Sequence, residues 1–140
     1  MSNIEIKVVD FDEHFSDIEK IRTAVFINEQ NVTPTLEWDH FDHESTHILA
    51  YYNNIAVGTA RLLKDGHIGR MAVLKDYRNR KIGQNMLKYL LAMAKERSIK
   101  NIQLSAQEHA IEFYKKLGFS VTSDVYMDAE IPHYDMKYIG

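Results

Sequence analysis

The stretch "RMAVLKDYRNRKIGQNMLKYLL", Arg70 to Leu91, constrains this chain most. Met71 to Leu74 is apolar and reads as a strand. A basic turn follows. Then "GQNMLKYLLAMAKER" places Met86, Leu87, Leu90, Leu91 and Ala94 on one helical face, the strongest helix pattern in the sequence. A helix start leaves four N–H groups unpaired and carries about half a positive charge. Such a turn can seat a pyrophosphate, with Arg78, Arg80 and Lys81 adding charge. An ordinary solvated basic turn fits these residues equally well. Only Gly83 supplies a glycine, and Lys81 stands where a phosphate cradle usually has a second one.

The surrounding pattern reads β-α-loop-β-β-β-α-β-α-β-β. Ile4, Ile6 and Val8 alternate as in a strand. An amphipathic helix runs from Asp12 or Ser16 to about Gln30. "NVTPTLEWDHFDHES" is a polar connection with Pro34 early in it. "THILAYY", "IAVGTARLL" and "HIGRMAVL" are strands, joined by hairpin signals at Asn53-Asn54 and Asp65-Gly66. "NIQLSA" is a short strand, and "HAIEFYKKLGF" a short helix stopped by Gly118 at C′. "SVTSDVYM" and "YDMKYI" close the chain as two strands. The expectation is one α+β domain over 1–140, an α/β sandwich with a mixed central sheet of about six to seven strands flanked by helices.

Composition narrows the function. The net charge of −3 argues against bulk nucleic-acid binding. With no cysteine, disulfides and thiolate chemistry are excluded. The polar start "MSNIEIKVVDFDE" is unlike a signal peptide, and no apolar run nears the ~20 residues of a membrane span. A cytoplasmic protein is expected. "HESTH", His43 to His47, matches the zinc-protease pattern H-E-x-x-H. Its context is loop and strand instead of helix, so no metal is expected. The acidic residues from Glu37 to Glu44 read as a solvated loop or as a lure for a cationic ligand.

Three further residues attract notice. Tyr114 shares a helix face with Ile111, as core or as a fixed proton donor. Glu29 lies at a helix C-terminus, unfavourable for the dipole. His133, after Pro132, can titrate near neutrality.

Together, "GRMAVLKDYRNRKIG" with its helix and "AIEFYKKLGF" one strand later resemble the GCN5-related N-acetyltransferase (GNAT) superfamily over essentially the whole chain. "FINEQNV", "EWDHFDHESTH", "GTARL" and "IPH" resemble a bacterial subgroup of small single-domain acetyltransferases. The resemblance implies an enzyme that moves an acetyl group from acetyl-CoA to a primary amine of a small molecule, by direct attack on the thioester. An amino sugar phosphate, an amino acid or a polyamine would serve. A non-catalytic acetyl-CoA sensor is the alternative.

The resemblance also assigns residues. Met71, Ala72 and Val73 would lie on a strand that splays from its neighbour and pairs with the pantetheine, a backbone N–H near Val73 polarising the thioester carbonyl. The motif Q/R-x-x-G-x-G/A maps onto Arg78, Asn79, Arg80, Lys81, Ile82 and Gly83, which with Gln84 would bind the pyrophosphate. Gln107 falls near a cofactor-contacting asparagine of many relatives. Tyr114 would protonate the leaving thiolate. Glu29 is the first choice of general base and His133 the second. Phe26, Glu29, Gln30, Arg70 and His133 would meet the acceptor. Lys81 replaces the motif's middle glycine and is expected to keep a negative φ. Homodimers are common in the superfamily, and neither nucleic acid nor membrane is expected as a partner.

Overall fold

The computed structural model describes residues 3–32 and 39–139. Pro34 and Glu37 of the polar connection lie outside them. Eight strands form one mixed sheet: β1 (Ile4–Val9), β2 (Thr46–Tyr52), β3 (Ile55–Leu62), β4 (His67–Val73), β5 (Gln103–Gln107), β6 (Phe119–Val121), β7 (Tyr126–Asp128) and β8 (Ile131–Tyr138). The order is β1-β2-β3-β4-β5-β8-β6, with β7 also paired to β8. Among the described residues, only β4 and β5 run parallel.

The eighth strand arises because "SVTSDVYM" is interrupted. Thr122 N–H donates to the Asp135 carbonyl at 2.9 Å, and Asp135 N–H donates to Ser123 Oγ at 2.9 Å. Ser123 thus takes a ladder bond with its side chain, and β6 and β7 follow one edge of β8 with a break between them.

The helices are α1 (Phe15–Arg22), α2 (Ile82–Glu96) and α3 (Ile111–Lys115). The expected single first helix changes character midway. Thr23–Glu29 is a π-helix, with Gln30 N–H donating to the Val25 carbonyl at 3.1 Å. Such wider turns are rare and gather at functional sites. The short final helix ends at Lys115, and Gly118, with φ 100°, turns the chain into β6 two residues past the C-cap.

Both faces of the central strands are covered, which explains the unbroken apolar run in β2. Ile48 and Ala50 join the cluster built on Met86, Leu87 and Leu90 of α2, whereas Leu49 joins Ile18 and Ile21 of α1. Burying each of these leucine, isoleucine and methionine side chains contributes about 2 kcal/mol. Gly58 permits the close approach of α2, since a Cβ there would sit 3.1 Å from Met86 Cε. Asn53 and Asn54, at φ 51° and 69°, form the expected tight hairpin.

Alternation sorts the last strands differently. Leu104, Ala106 and Met136 are buried in the α2 cluster. Ser105 and Gln107 of β5, and His133 and Asp135 of β8, fall on the opposite face by the two-residue period. α1 packs on β3 and β4. The polar row beyond them forms the floor of a cleft.

Candidate active site

The β4–β5 pairing is confined to His67–Gln103 and Ile68–Leu104. Both strands then run on, to Val73 and Gln107, without pairing to each other. A bulge drives them apart. The β3–β4 register shifts between Thr59 and Arg61, opposite Arg70, whose φ is +48°. Bulges bend the strand that carries them. The splay expected at Met71, Ala72 and Val73 is therefore present. Leu74 N–H donates to the Val57 carbonyl at 2.9 Å, so Leu74 faces β3. By alternation, the N–H and carbonyl of Val73 face the opening. Arg78 Nε donates to that carbonyl at 3.0 Å.

Two cavities meet at this opening. The larger, about 860 Å³, extends from Arg78, Lys81 and Gly83 along Met71–Val73 to Tyr114. The smaller, about 270 Å³, lies against the polar face, lined by Phe26, Gln30, Arg70, Ser105 and His133 among others. Gln30, Met71, Gln107 and Tyr114 border both. The π-helix serves both sides: Val25 and Glu29 line the larger cavity, Phe26 the smaller. Gln107 Nε2 donates to Gln30 Oε1 at 2.7 Å, tying β5 to the end of the π-helix.

The basic turn corrects one expectation. Lys81 does not keep a negative φ; it adopts φ 64°, ψ 18°, the left-handed region. Asn79 does likewise at φ 65°. The chain must swing from the 3₁₀ turn Lys75–Tyr77 into α2 within a few residues. Geometry, not residue type, decides this position, and a side chain there costs about 1–2 kcal/mol. Arg80 turns toward the sheet, its Nη1 donating to Tyr52 Oη at 2.9 Å and its guanidinium lying 4.9 Å over the Tyr52 ring. Ile82 is buried in the core, so at that position only backbone is available to a ligand.

Arg78 grips Glu29 with both Nη atoms, at 2.6 and 2.7 Å. The Arg78 hydrogen bond holds the Glu29 carboxyl below its ordinary pKa, so it is a weaker base. His133 is buried, and its Nδ1–H donates to the Ile131 carbonyl at 2.7 Å. That bond fixes the tautomer and leaves Nε2 as the acceptor nitrogen. Tyr114 packs edge-on against Phe113 and Phe119, and burial pushes its hydroxyl up to about 12.

Within the acidic loop, Asp39 and Asp42 have a different role from either expected one. Asp42 is buried and accepts from Arg22 Nη1 at 2.9 Å and Arg61 Nη1 at 2.8 Å. Asp39 accepts from Arg61 at 2.7 and 3.0 Å and from Arg70 Nη2 at 3.0 Å. Burial alone would raise the Asp39 pKa, but the Arg61 hydrogen bond and charge reverse this and hold it low. These two aspartates therefore form neither a solvated loop nor a lure; they clamp the loop to α1, β3 and the Arg70 bulge. In "HESTH", His47 Nε2 donates to the Asp42 carbonyl at 2.7 Å, and burial lowers its pKa. His43 instead meets Asp12 at 3.1 Å.

Sequence reasoning passed over the Arg22–Asp42–Arg61 cluster, and also Ser105, Tyr126 and Asp135 beside His133. The alternation of Gln103, Ser105 and Gln107 was the available signal for a polar sheet face.

A mixed sheet parted between two parallel strands, with a left-handed basic turn leading into a helix at one cavity and a polar cleft at the other, is the architecture of an N-acetyltransferase. The chain belongs to the GNAT acetyltransferase family, whose domain model matches residues 12–139. It is 37% identical to the uncharacterized N-acetyltransferase YjcF of Bacillus subtilis over 129 residues, 89% of this chain and 92% of that protein. It is 34% identical to Escherichia coli ElaA over 125 residues, 84% of this chain and 82% of ElaA. The crystal structure of Escherichia coli ElaA superposes with a TM-score of 0.86, covering 97% of this chain and 99% of that one, at 30% identity. Arabidopsis thaliana Naa50, in complex with the bisubstrate analogue CoA-Ac-MVNAL, matches with a TM-score of 0.79 at 26% identity, over 99% of each chain. Among the described residues, no helix is long and apolar enough to cross a membrane.

Proposed function

We propose that this acetyltransferase uses acetyl-CoA to acetylate the primary amine of a small molecule, with His133 and Tyr114 as its proton-handling groups. The observation that carries the reading is the meeting of two unequal cavities at the β4–β5 opening. The larger suits a cofactor-sized ligand. Backbone groups of Val73 face it, and Arg78, Lys81, Gly83 and Gln84 at its basic end would hold a pyrophosphate. The smaller admits a compact acceptor.

Acetyl-CoA supplies its acetyl group as a thioester. The Val73 N–H is oriented toward the opening, suited to stabilise negative charge on a carbonyl oxygen. An alkylamine is protonated near pH 7 and must lose a proton before it attacks. His133 Nε2 is the better receiver than Glu29. It lines the smaller cleft and has a fixed tautomer, whereas Glu29 lies in the larger cavity, bound by Arg78. Tyr114 borders both cavities and keeps its proton at neutral pH, as a donor to a departing thiolate must. Phe26, Gln30 and Arg70 would contact the acceptor.

The test is CoA release from acetyl-CoA against amino sugar phosphates, amino acids, polyamines and a short peptide with a free N-terminus. Turnover of a small amine supports the reading. Turnover of the peptide alone overturns the acceptor class, and no turnover with any of them overturns the small-amine acceptor.

A further inference from the structure

We infer that Tyr126 is a positioning residue for His133, its ring the wall on which the imidazole lies and its hydroxyl pinned by Asp135 and Ser105. The inference rests on the proposed function, in which His133 faces the acceptor.

The geometry comes from three neighbouring strands. Gln107 of β5, His133 of β8 and Tyr126 of β7 stand in one row, as paired residues across the sheet. Ser105 and Asp135 are directly paired two residues along, on the same face. Tyr126 stacks on His133 with centroids 6.0 Å apart and planes inclined by 22°. Its hydroxyl reaches diagonally into the next row, donates to Asp135 Oδ1 at 2.6 Å and is hydrogen bonded to Ser105 Oγ. The charged acceptor fixes the hydroxyl more firmly than a neutral one would.

The imidazole is thus held in two directions. The Ile131 carbonyl takes its Nδ1–H, and the Tyr126 ring limits rotation of its plane. Without that wall the ring can flip, placing Cδ2–H where Nδ1–H stood and breaking the bond to Ile131 that fixes the tautomer. Other polar or charged groups bordering the cleft are Arg70, Gln107, His109 and Asp128. β7 is three residues long and lies on the sheet's edge, so its tyrosine is a small, local device.

The experiment is long-range ¹H–¹⁵N spectroscopy on histidine-labelled full-length protein, with His133 assigned from His133→Gln. Wild type should show one His133 tautomer, with the proton on Nδ1. Tyr126→Leu should give mixed tautomers. It should also lower kcat about tenfold with the best amine of the panel, leaving KM for acetyl-CoA unchanged. Tyr126→Phe and Asp135→Asn should each loosen the single-tautomer signal, less than Tyr126→Leu does. A single Nδ1–H tautomer persisting in Tyr126→Leu overturns the inference. If that variant does not fold, an unchanged His133 spectrum in both Tyr126→Phe and Asp135→Asn does so. His133→Gln separates this from the underlying reading. Unaltered CoA release and pH profile in that variant remove His133 from the reaction, while the spectra still report whether Tyr126 orients it.

Discussion

Arg78 holds Glu29 through both terminal nitrogens, at 2.6 and 2.7 Å, across 49 positions of sequence. One partner comes from the basic turn and the other from the end of the π-helix, and both line the larger cavity. A pyrophosphate seated there, as proposed, would compete with Glu29 for the guanidinium. Both side chains are about a third exposed, at 36%, so the pair itself contributes under ~1 kcal/mol. Glu29→Gln should therefore leave Tm nearly unchanged and tighten CoA binding about threefold by calorimetry. Arg78→Ala should weaken it. CoA affinity unmoved by Glu29→Gln would mean that Arg78 never leaves the carboxylate.

Asp42 is the opposite case, because it is 1% exposed and serves two arginines. Asp42→Ala removes a buried carboxylate that accepts from both Arg22 and Arg61. The expected loss is about 3–5 kcal/mol of unfolding free energy in a urea titration. Asp39→Ala, at a half-buried site facing Arg61 and Arg70, should lose less. Equal losses at the two positions would contradict the burial difference.

Lys81 sits at φ 64°, where a Cβ is unwelcome. Lys81→Gly should be more stable than Lys81→Val by about 1–2 kcal/mol, since a β-branched residue tolerates this region least. Thermal melts of the two variants decide it. If they melt together, the turn relaxes to accept either residue.

Tyr114 has its hydroxyl pushed up to about 12 by burial. It stays protonated up to about pH 10, so it adds no limb to the rate profile between ~pH 6 and ~pH 10. Tyr114→Phe should lower kcat about 10²-fold with CoA affinity kept. An alkaline limb lost in Tyr114→Phe would show that the hydroxyl ionises earlier than its surroundings dictate.

Local chemistry was well expressed in the residues. The Asn53-Asn54 and Asp65-Gly66 turns, the apolar face of α2 and the β2 boundary at Thr46 all follow from short-range pattern. The long-range features were not. Arg22 and Asp42 are 20 positions apart and each looks like surface; only the fold makes them a pair. The π-helix hides because Val25, Phe26, Glu29 and Gln30 suit an α-helix equally well. Lys81 misleads because side-chain sterics favour negative φ, while the route from β4 into α2 demands the reverse. At the site, Tyr114 and His133 stood out as single residues. Tyr126, Ser105 and Asp135 drew no notice, because their meaning lies in the register of three strands.

The polar face of β5, β8 and β7 has an evolutionary consequence. Ser105, Tyr126, His133 and Asp135 look away from Leu104, Ala106 and Met136, which carry the hydrophobic load on the same strands. If the amine lies against that row, as proposed, exchanges there would retarget the enzyme while the scaffold beneath stays intact. Diversity of acceptors on one unchanging fold is what such a division of labour permits.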